Sequence, residues 1–209
     1  MKKKIAIVAG GDSSEHEVSL RSAAGILSFM DAERYDCRIV AQRGQSMHVL
    51  DGERQYPINL HDFSYEVDGK RQTFDFAYIT IHGTPGENGI LQGYFDLIGL
   101  PYSTSGVLVE ALTFNKFALN NYLRALPGIH VSDSLMVRRG QTLPTPEEIV
   151  ERVGLPCFIK PNAGGSSFGV SKVKALEEVI PAIHKAMGES DEVMIERQLV
   201  GTEITCGCF

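Results

Sequence analysis

The sequence comprises 209 residues, of which 43% are hydrophobic and 22% are charged, a composition typical of a globular chain with one large domain or two small ones. Its net charge of −6 argues against a nucleic-acid partner, because a surface that contacts phosphates along a strand needs clustered Lys and Arg. No apolar run approaches the roughly 18 residues of a membrane span, and the apolar stretch after MKKK is too short for an export signal, so we expect a cytoplasmic protein.

The first half of the chain alternates predicted strands with predicted helices. KIAIVA (residues 4–9) has the apolar character of a buried strand, and Ser14 and Glu17 after it have the spacing of a helix-capping box. Further strands are predicted at CRIVA, MHVL and DFAYITI (residues 75–81), and GILQGYFDLIGL is predicted as a helix. Such alternation predicts an α/β domain built on a parallel sheet with helices on both faces.

The second half has a different pattern, which starts after the turn-rich segment PYSTSG with one long predicted helix over about residues 107–125. Thr145, Pro146 and Glu148 predict the start of a later helix, since they supply N-cap, N1 and N3 residues. The remaining predicted elements are a helix over about residues 176–187 and the short strands VSDSLMV, CFIK, GVSKV, EVMIE and EITCGCF. We therefore expect a second domain of the α+β class. Its last strand is cut by the end of the sequence, so we expect a piece of a longer protein.

The four cysteines are scattered through a chain that is large enough to fold without disulfides, so we expect no disulfide framework. They are Cys37, Cys157, Cys206 and Cys208. The last two form a C-x-C pair that could bind a metal ion or pack in the core on one face of the strand EITCGCF. Core packing is favoured, because it is the usual environment of a free cysteine.

Two polar, glycine-rich segments follow predicted strands of the first half, GGDSSEHE and HGTPGENG. Ligands of open parallel sheets bind beyond the carboxyl ends of the strands, where both segments are expected. Glu15 is either a first-turn acid whose charge interacts favourably with the helix dipole or a carboxylate directed at a substrate ammonium group. His82 is either a structural histidine or a polar ring at the mouth of the sheet.

The segment KPNAGGSSFGVSKV (residues 160–173) places a lysine before a glycine-serine loop rather than after it, so it is not a Walker loop. Its pattern predicts a strand, a loop and a strand, that is, a hairpin whose tip covers a ligand. Lys160 ends an apolar strand, where a charged amine requires an anion. Lys116, in contrast, lies within a predicted helix, where a lysine usually extends its amine into solvent. Glu196 and Glu203 either flank a segment that presents backbone groups to a flat base or are solvated acids.

Together these segments resemble the D-alanine–D-alanine ligase family of the ATP-grasp superfamily. The motifs that carry the resemblance, in chain order, are GGDSSEHEVSL, HGTPGENGILQGYFDLIGLPYSTSG, LTFNK, IKPNAGGSSFGVSKV and IERQLVGTEIT. The resemblance implies an N-terminal parallel-sheet, Rossmann-like α/β substrate domain (pre-ATP-grasp) over residues 1–103. It further implies an incomplete α+β ATP-grasp domain, with a central subdomain over residues 104–196 and the start of the C-terminal subdomain over residues 197–209.

The resemblance also implies roles for matched residues. Glu15 would bind the ammonium group of the first D-alanine, Ser166 would help to orient the substrates, and His82 would lie beside the reacting carboxylate. Glu15 and Ser166 are thus the expected catalytic residues. The residues expected to bind ATP are Lys116, Lys160, Gly164, Gly165, Ser167, Gly169, Glu196, Leu199 and Glu203.

The implied reaction is the ATP-dependent joining of two D-alanines through an acyl phosphate, for the synthesis of peptidoglycan precursors. The implied cofactors are ATP and Mg²⁺ or Mn²⁺, with metal ligands expected beyond Phe209, so we expect the 209-residue chain alone to be inactive. A homodimer is the expected assembly. The alternatives are a D-alanine–D-lactate ligase, a nucleotide-binding module without catalysis, and a Rossmann-type oxidoreductase, although GGDSSE lacks the G-x-G-x-x-G spacing of the last class.

Overall fold

The computed structural model of the protein describes residues 2–165, 167–205 and 207. The chain divides into two compact units, Met1–Phe114 and Asn115–Phe209. The predicted roles of Ser166, Cys206 and Cys208 lie outside the described residues. Within the described ranges, no helix combines the length and the apolar character that a membrane crossing needs.

The first unit is built on a five-stranded mixed sheet in the order β4-β3-β2-β1-β7. Its elements are β1 (Lys3–Gly10), α1 (His16–Phe29), β2 (Tyr35–Arg43), β3 (Ser46–Asp51), β4 (Arg54–Pro57), β5 (Tyr65–Val67), β6 (Lys70–Gln72), β7 (Phe76–Ile79), α2 (Ile90–Ile98) and α3 (Val107–Phe114). The predicted parallel arrangement is confirmed at the centre, where β1 pairs in parallel with β2 and β7. Tight turns at Gly44 (φ 54°) and Gly52 (φ 61°) reverse the chain twice, so β3 and β4 extend the sheet as antiparallel strands.

Helices cover both faces of this sheet, as predicted. Successive residues of β1 point to opposite faces. Ile7 and Ala9 pack with Ala23 of α1 on one face. On the other face Ala6 and Val8 belong to a larger cluster that includes Phe95 of α2. The two faces of β1 are therefore both hydrophobic, which explains why KIAIVA is apolar throughout rather than alternating.

Two predicted helix boundaries are wrong. Helix α1 starts at His16 with Glu15 at the N-cap and no side-chain cap, so Ser14 and Glu17 form no capping box. The hydroxyl of the neighbouring Ser13 accepts from the Glu15 amide instead, at 3.2 Å. The long helix over residues 107–125 is broken at Asn115, whose backbone is extended (ψ 97°) and whose side chain caps the following helix.

The second unit is built on an antiparallel sheet in the order β10-β9-β11-β8. Its elements are α4 (Lys116–Arg124), β8 (Ser134–Arg138), α5 (Pro146–Val153), β9 (Cys157–Pro161), β10 (Ser171–Val173), a 3₁₀ turn (Leu176–Glu178), α6 (Val179–Met187) and β11 (Glu192–Arg197). Helices α5 and α6 pack against one face of the sheet through a single hydrophobic cluster. The predicted capping box of α5 is confirmed, with Thr145 and Glu148 bonded to each other's amides.

The strand predicted at EITCGCF is wrong where it can be checked, since residues 203–205 are not in a strand and no described strand hydrogen-bonds to them. The packing predicted for Cys206 and Cys208 lies outside the described residues. The other two cysteines are free thiols, Cys37 half-buried and Cys157 buried. Burial raises the pKa of the Cys157 thiol, so it stays protonated at neutral pH.

Candidate active site

Strands β9 and β11 of the second unit have one face in the core and the other in an open cleft of about 820 Å³. Ile159 and Ile195 are fully buried in the cluster under the sheet. Lys160 and Glu196, each the next residue in its strand, point to the cleft. The cleft is therefore the outer face of a sheet whose inner face is the hydrophobic core.

The glycine loop joins β9 to β10 in an antiparallel hairpin, which confirms the predicted arrangement of strand, loop and strand. The hairpin, helix α4 and the segment after β11 enclose the cleft. Of the residues predicted to bind ATP, the structure brings together at this cleft Lys116, Lys160, Gly164, Gly165, Ser167, Glu196, Leu199 and Glu203. Their contacts with ATP stay predictions.

Gly169 has a structural explanation at the end of the loop. Its φ is +71°, and a Cβ there would lie 2.9 Å from Cγ of Pro161. A glycine is therefore required for the loop to fold back over β9. Gly169 is not among the residues that line the cleft, and its predicted contact with ATP stays a prediction.

Lys160 and Glu196 form an ion pair across neighbouring strands, with 2.5 Å between Nζ and Oε1. Glu196 lies opposite Phe158 in the β9–β11 register, so its partner Lys160 is the diagonal neighbour on the same face. Both side chains are largely shielded, at 22% and 16% exposure. Each charge therefore depends on the other more than a surface pair would.

Lys116 is the first residue of α4 rather than an interior helix residue as predicted. Its Nζ donates to the carbonyl oxygen of Gly164 at 2.6 Å, which ties the lysine to the glycine loop. Lys116 and Lys160 thus approach the cleft from two elements, α4 and β9. Two amines thus meet at the base of the glycine loop, and the amine of Lys160 is paired there with Glu196.

The acidic side of the cleft is formed by β11 and the segment that follows it. Leu199 is 64% exposed and lies between Glu196 and Glu203 on the rim. The amide of the intervening Gln198 donates to the carbonyl of Pro156, at 3.1 Å, and so fixes the start of the segment. An apolar side chain next to backbone donors and acceptors suits a flat heterocycle, which needs both stacking and edge contacts.

The predicted substrate residues Glu15 and His82 lie in the first unit, after β1 and β7 respectively. The Ser13 hydroxyl donates to the carbonyl oxygen of His82 at 2.7 Å and accepts from the amide of Glu15. Glu15 is buried, with 7% exposure. The two predicted residues are therefore joined through Ser13 at the carboxyl edge of the parallel strands.

A second serine anchors the same edge. Ser19 of α1 is fully buried; its hydroxyl accepts from the amide of Gly10 and donates to the carbonyl of Thr80, at 2.9 and 2.7 Å. This contact fastens the first turn of α1 to the ends of β1 and β7. Ser19 follows Glu15 by one helical turn, and its amide donates to the Glu15 carbonyl at 3.0 Å.

Two family descriptions match the sequence. Residues 4–105 match the D-ala D-ala ligase N-terminus, and residues 123–209 match the D-ala D-ala ligase C-terminus. The chain belongs to the D-alanine–D-alanine ligase family. The fold prediction for this ligase-family chain, an α/β domain followed by an ATP-grasp domain, is confirmed by solved structures of the same family.

One similar relative is the D-alanine–D-alanine ligase of Phocaeicola vulgatus, 62% identical over 211 residues, which cover all of this chain and 64% of the relative. The D-alanyl-alanine synthetase A of Vibrio cholerae has a TM-score of 0.82 at 28% identity and matches 95% of this chain and 60% of its own. The Bacillus anthracis ligase complexed with ATP has a TM-score of 0.72 at 25% identity and matches 95% of this chain and 60% of its own. The ligase-family chain thus spans about 64% of the length of the curated relative.

Several residues near the candidate sites of the two units in this ligase-family chain were missed in the sequence analysis. Phe158 lies in the cleft beside Lys160, and the alternation in CFIK was a signal for it, since every second residue of a strand shares a face. Ser13 and Ser19 gave no such signal, because each donates to a carbonyl just after β7, more than 60 residues along the chain. Among the described residues, no group of three or more His, Cys, Asp or Glu could hold a metal ion.

Proposed function

We propose that the protein to which this chain belongs is an ATP-dependent D-alanine–D-alanine ligase that makes the dipeptide for peptidoglycan precursors. The observation that supports the proposal most strongly is the cleft over the outer face of the second unit's sheet, which gathers two lysines, a glycine loop and two acids. Relatives that are 62% and 56% identical over the matched residues carry the name D-alanine–D-alanine ligase.

In this proposal ATP occupies the cleft with its phosphates at Lys116 and Lys160 under the glycine loop. Both amines now contact protein oxygens, Gly164 O and Glu196 Oε1, at 2.6 and 2.5 Å. For Lys116 a charge-assisted contact to phosphate would replace a contact to a neutral carbonyl, and for Lys160 one charged contact would replace another. Glu196 would then accept from the adenine amino group, the Leu199 backbone would meet the ring edge, and Glu203 would bind the ribose hydroxyls.

The proposed chemistry has two steps. A carboxylate oxygen of the first D-alanine attacks the γ-phosphorus, the bond to the leaving ADP oxygen breaks, and an acyl phosphate forms. The amino group of the second D-alanine then attacks the acyl carbon, and phosphate leaves as the amine loses a proton. Glu15 would hold the first ammonium group, His82 would lie beside the reacting carboxylate, and Ser166 would help to orient the substrates. Placement and charge neutralisation carry such reactions.

The remaining parts of the proposal concern the cell. The substrates are small molecules, D-alanine and ATP, and neither nucleic acid nor membrane is a partner. The location is cytoplasmic, where ATP and peptidoglycan precursors meet, and the assembly is a homodimer. Mg²⁺ is included as the metal that the family resemblance implies, although the described residues offer no cluster to bind it.

The test is phosphate release and dipeptide formation by the full-length protein with ATP, Mg²⁺ and D-alanine, followed by mass spectrometry of the product. We expect D-alanyl-D-alanine, with D-lactate failing to replace the second D-alanine. Glu15→Gln should impair the use of D-alanine more than the binding of ATP. A full-length protein that binds ATP but releases no phosphate in response to D-alanine would contradict the proposal.

A further inference from the structure

Asn162, two residues after Lys160, has the most constrained polar side chain near the cleft. It is fully buried. Its Nδ2 donates to Glu192 Oε2 at 2.7 Å and to Asn115 Oδ1 at 3.0 Å, and its Oδ1 accepts from the amide of Phe117 at 2.8 Å. One side chain thus joins β9, β11 and the start of α4.

The backbone of Asn162 makes two more contacts with the same elements. Its carbonyl accepts from the amide of Lys116 at 3.1 Å, and its amide donates to the carbonyl of Glu192 at 2.9 Å. The first amides of a helix have no acceptor within the helix. In α4, Asn162 supplies the acceptors for Lys116 and Phe117, and Asn115 supplies the acceptor for Ala118 at 2.9 Å.

Glu192 determines which way the Asn162 amide points. Its other carboxylate oxygen accepts from Nε of Arg138 at 2.7 Å, so the carboxylate is itself held in place. The hydrogen bond from Arg138 is the main cause that lowers the pKa of Glu192, and a smaller contribution in the same direction comes from Asn162, while burial opposes them. An ionised Glu192 accepts only, so the NH₂ group of Asn162 faces it and Oδ1 faces α4.

We propose that Asn162 is a positioning residue of the nucleotide site, which holds Lys116 at the place where its amine and that of Lys160 act on the same phosphates. The inference rests on the proposed function. It follows from the geometry of α4, in which Lys116 is the first helical residue. The backbone carbonyl of Asn162 accepts from the amide of Lys116, and the side-chain oxygen of Asn162 accepts from the amide of Phe117. Lys160 lies in β9, two residues before Asn162, which directly follows that strand, so the two lysines are fixed to one short piece of backbone.

The test compares ATP with adenosine, because only ATP has phosphates for Lys116 to contact. Titration calorimetry on the full-length protein gives both dissociation constants for wild type, Asn162→Asp and Asn162→Ala. Asn162→Asp keeps the oxygen that faces Phe117 but loses the donors to Asn115 and Glu192. Asn162→Ala removes the same donors and also the acceptor for the Phe117 amide, without adding a buried charge, so it serves should Asn162→Asp not fold. The matched control is Gln141→Glu, an amide-to-acid change at an exposed position of the same unit.

We expect either Asn162 variant to bind ATP about tenfold more weakly, as the loss of a charge-assisted phosphate contact would predict, and to bind adenosine like wild type. In a protein that already carries Lys116→Met, the Asn162 change should add less than about twofold, because coupled residues are not additive. The control should bind both ligands normally.

Equal losses for ATP and adenosine would overturn the inference, because they would indicate a general distortion of the cleft. Wild-type affinity for ATP in the Asn162 variants would overturn it as well, and so would full additivity with Lys116→Met. If wild type itself binds no ATP, the proposed function fails, and the inference falls with it; the first three results leave the proposed function intact.

Discussion

The ammonium group of Lys160 lies 2.5 Å from a carboxylate oxygen of Glu196 on the neighbouring strand. The two residues are predicted to act at different parts of ATP, the phosphates and the adenine. In the absence of nucleotide they neutralise each other. ATP binding would therefore exchange one charged contact of Lys160 for another, and the net gain is smaller than the strength of the phosphate contact alone.

Lys160→Ala should weaken ATP binding by the full-length protein at least tenfold, because the loss of a charge-assisted contact costs about 1.5 to 3 kcal/mol. It also leaves Glu196 without its ion-pair partner. Calorimetric titration with ATP measures the change, and circular dichroism checks the fold. Lys174→Ala, at an exposed lysine of the same unit, is the control. Undiminished ATP affinity in a folded Lys160→Ala protein would remove Lys160 from the site.

Ser13→Ala should raise the KM for D-alanine about fivefold and leave the KM for ATP unchanged, since a neutral hydrogen bond contributes about 1 kcal/mol. The reason is that the Ser13 hydroxyl connects the Glu15 amide with the His82 carbonyl. Steady-state kinetics with each substrate varied in turn separates the two effects. The exposed neighbour Ser14 supplies the control Ser14→Ala. An equal rise in both KM values would mean that Ser13 does not act through the substrate residues.

Thr145→Ala should lower the free energy of unfolding by about 1 kcal/mol, the usual effect of losing an N-cap. Thr145 Oγ1 accepts from the amide of Glu148 at 3.2 Å, and Glu148 returns a contact to the amide of Thr145 at 2.8 Å. Urea unfolding at neutral pH measures the loss. Thr142→Ala, at an exposed threonine of the preceding turn, should have little effect. Equal stability of the two variants would contradict the importance of the capping box.

Glu192 should make the stability of the protein depend on pH on the acid side. Arg138 above all lowers its pKa in the folded protein below the ordinary value of 4.5, so the folded state binds the proton less readily than the unfolded state. The stabilisation is therefore complete above pH 4.5 and is lost as the pH falls through the lowered pKa.

Glu192→Gln should remove this dependence. Urea unfolding of wild type and variant at a series of pH values from neutral to acid should show a stability difference that shrinks below pH 4.5. The control is Glu151→Gln, at an exposed position of α5. A difference between wild type and Glu192→Gln that stays constant over the whole series would show that the Arg138 contact does not affect titration.

The elements that the sequence predicted well are those whose signal is local. Helix α5 follows from Thr145, Pro146 and Glu148, which lie within four positions. The hairpin around the glycine loop follows from apolar strands on either side of it. Such patterns need no information from distant parts of the chain.

The features that were missed depend on distant partners. Nothing local in LTFNKF marks the end of a helix, and Asn115 breaks it partly because its side chain meets Asn162, 47 residues further along the chain. The ion pair of Lys160 and Glu196 depends on the register of β9 against β11. The capping box was predicted at Ser14 and Glu17, but it is the hydroxyl of Ser13 that bonds, to the amide of Glu15 and to the carbonyl of His82, 69 residues further along the chain.

The cleft and the hydrophobic core of the second unit share the same two strands. Ile159 and Ile195 on one face alternate with Lys160 and Glu196 on the other. A compound that spans β9 and β11 would oppose their separation, and its binding free energy would add to the stability of the unit by mass action. Inhibitor screening by melting temperature therefore suits this site, because a compound bound to the polar face of the sheet raises the temperature at which the hydrophobic core on the other face unfolds.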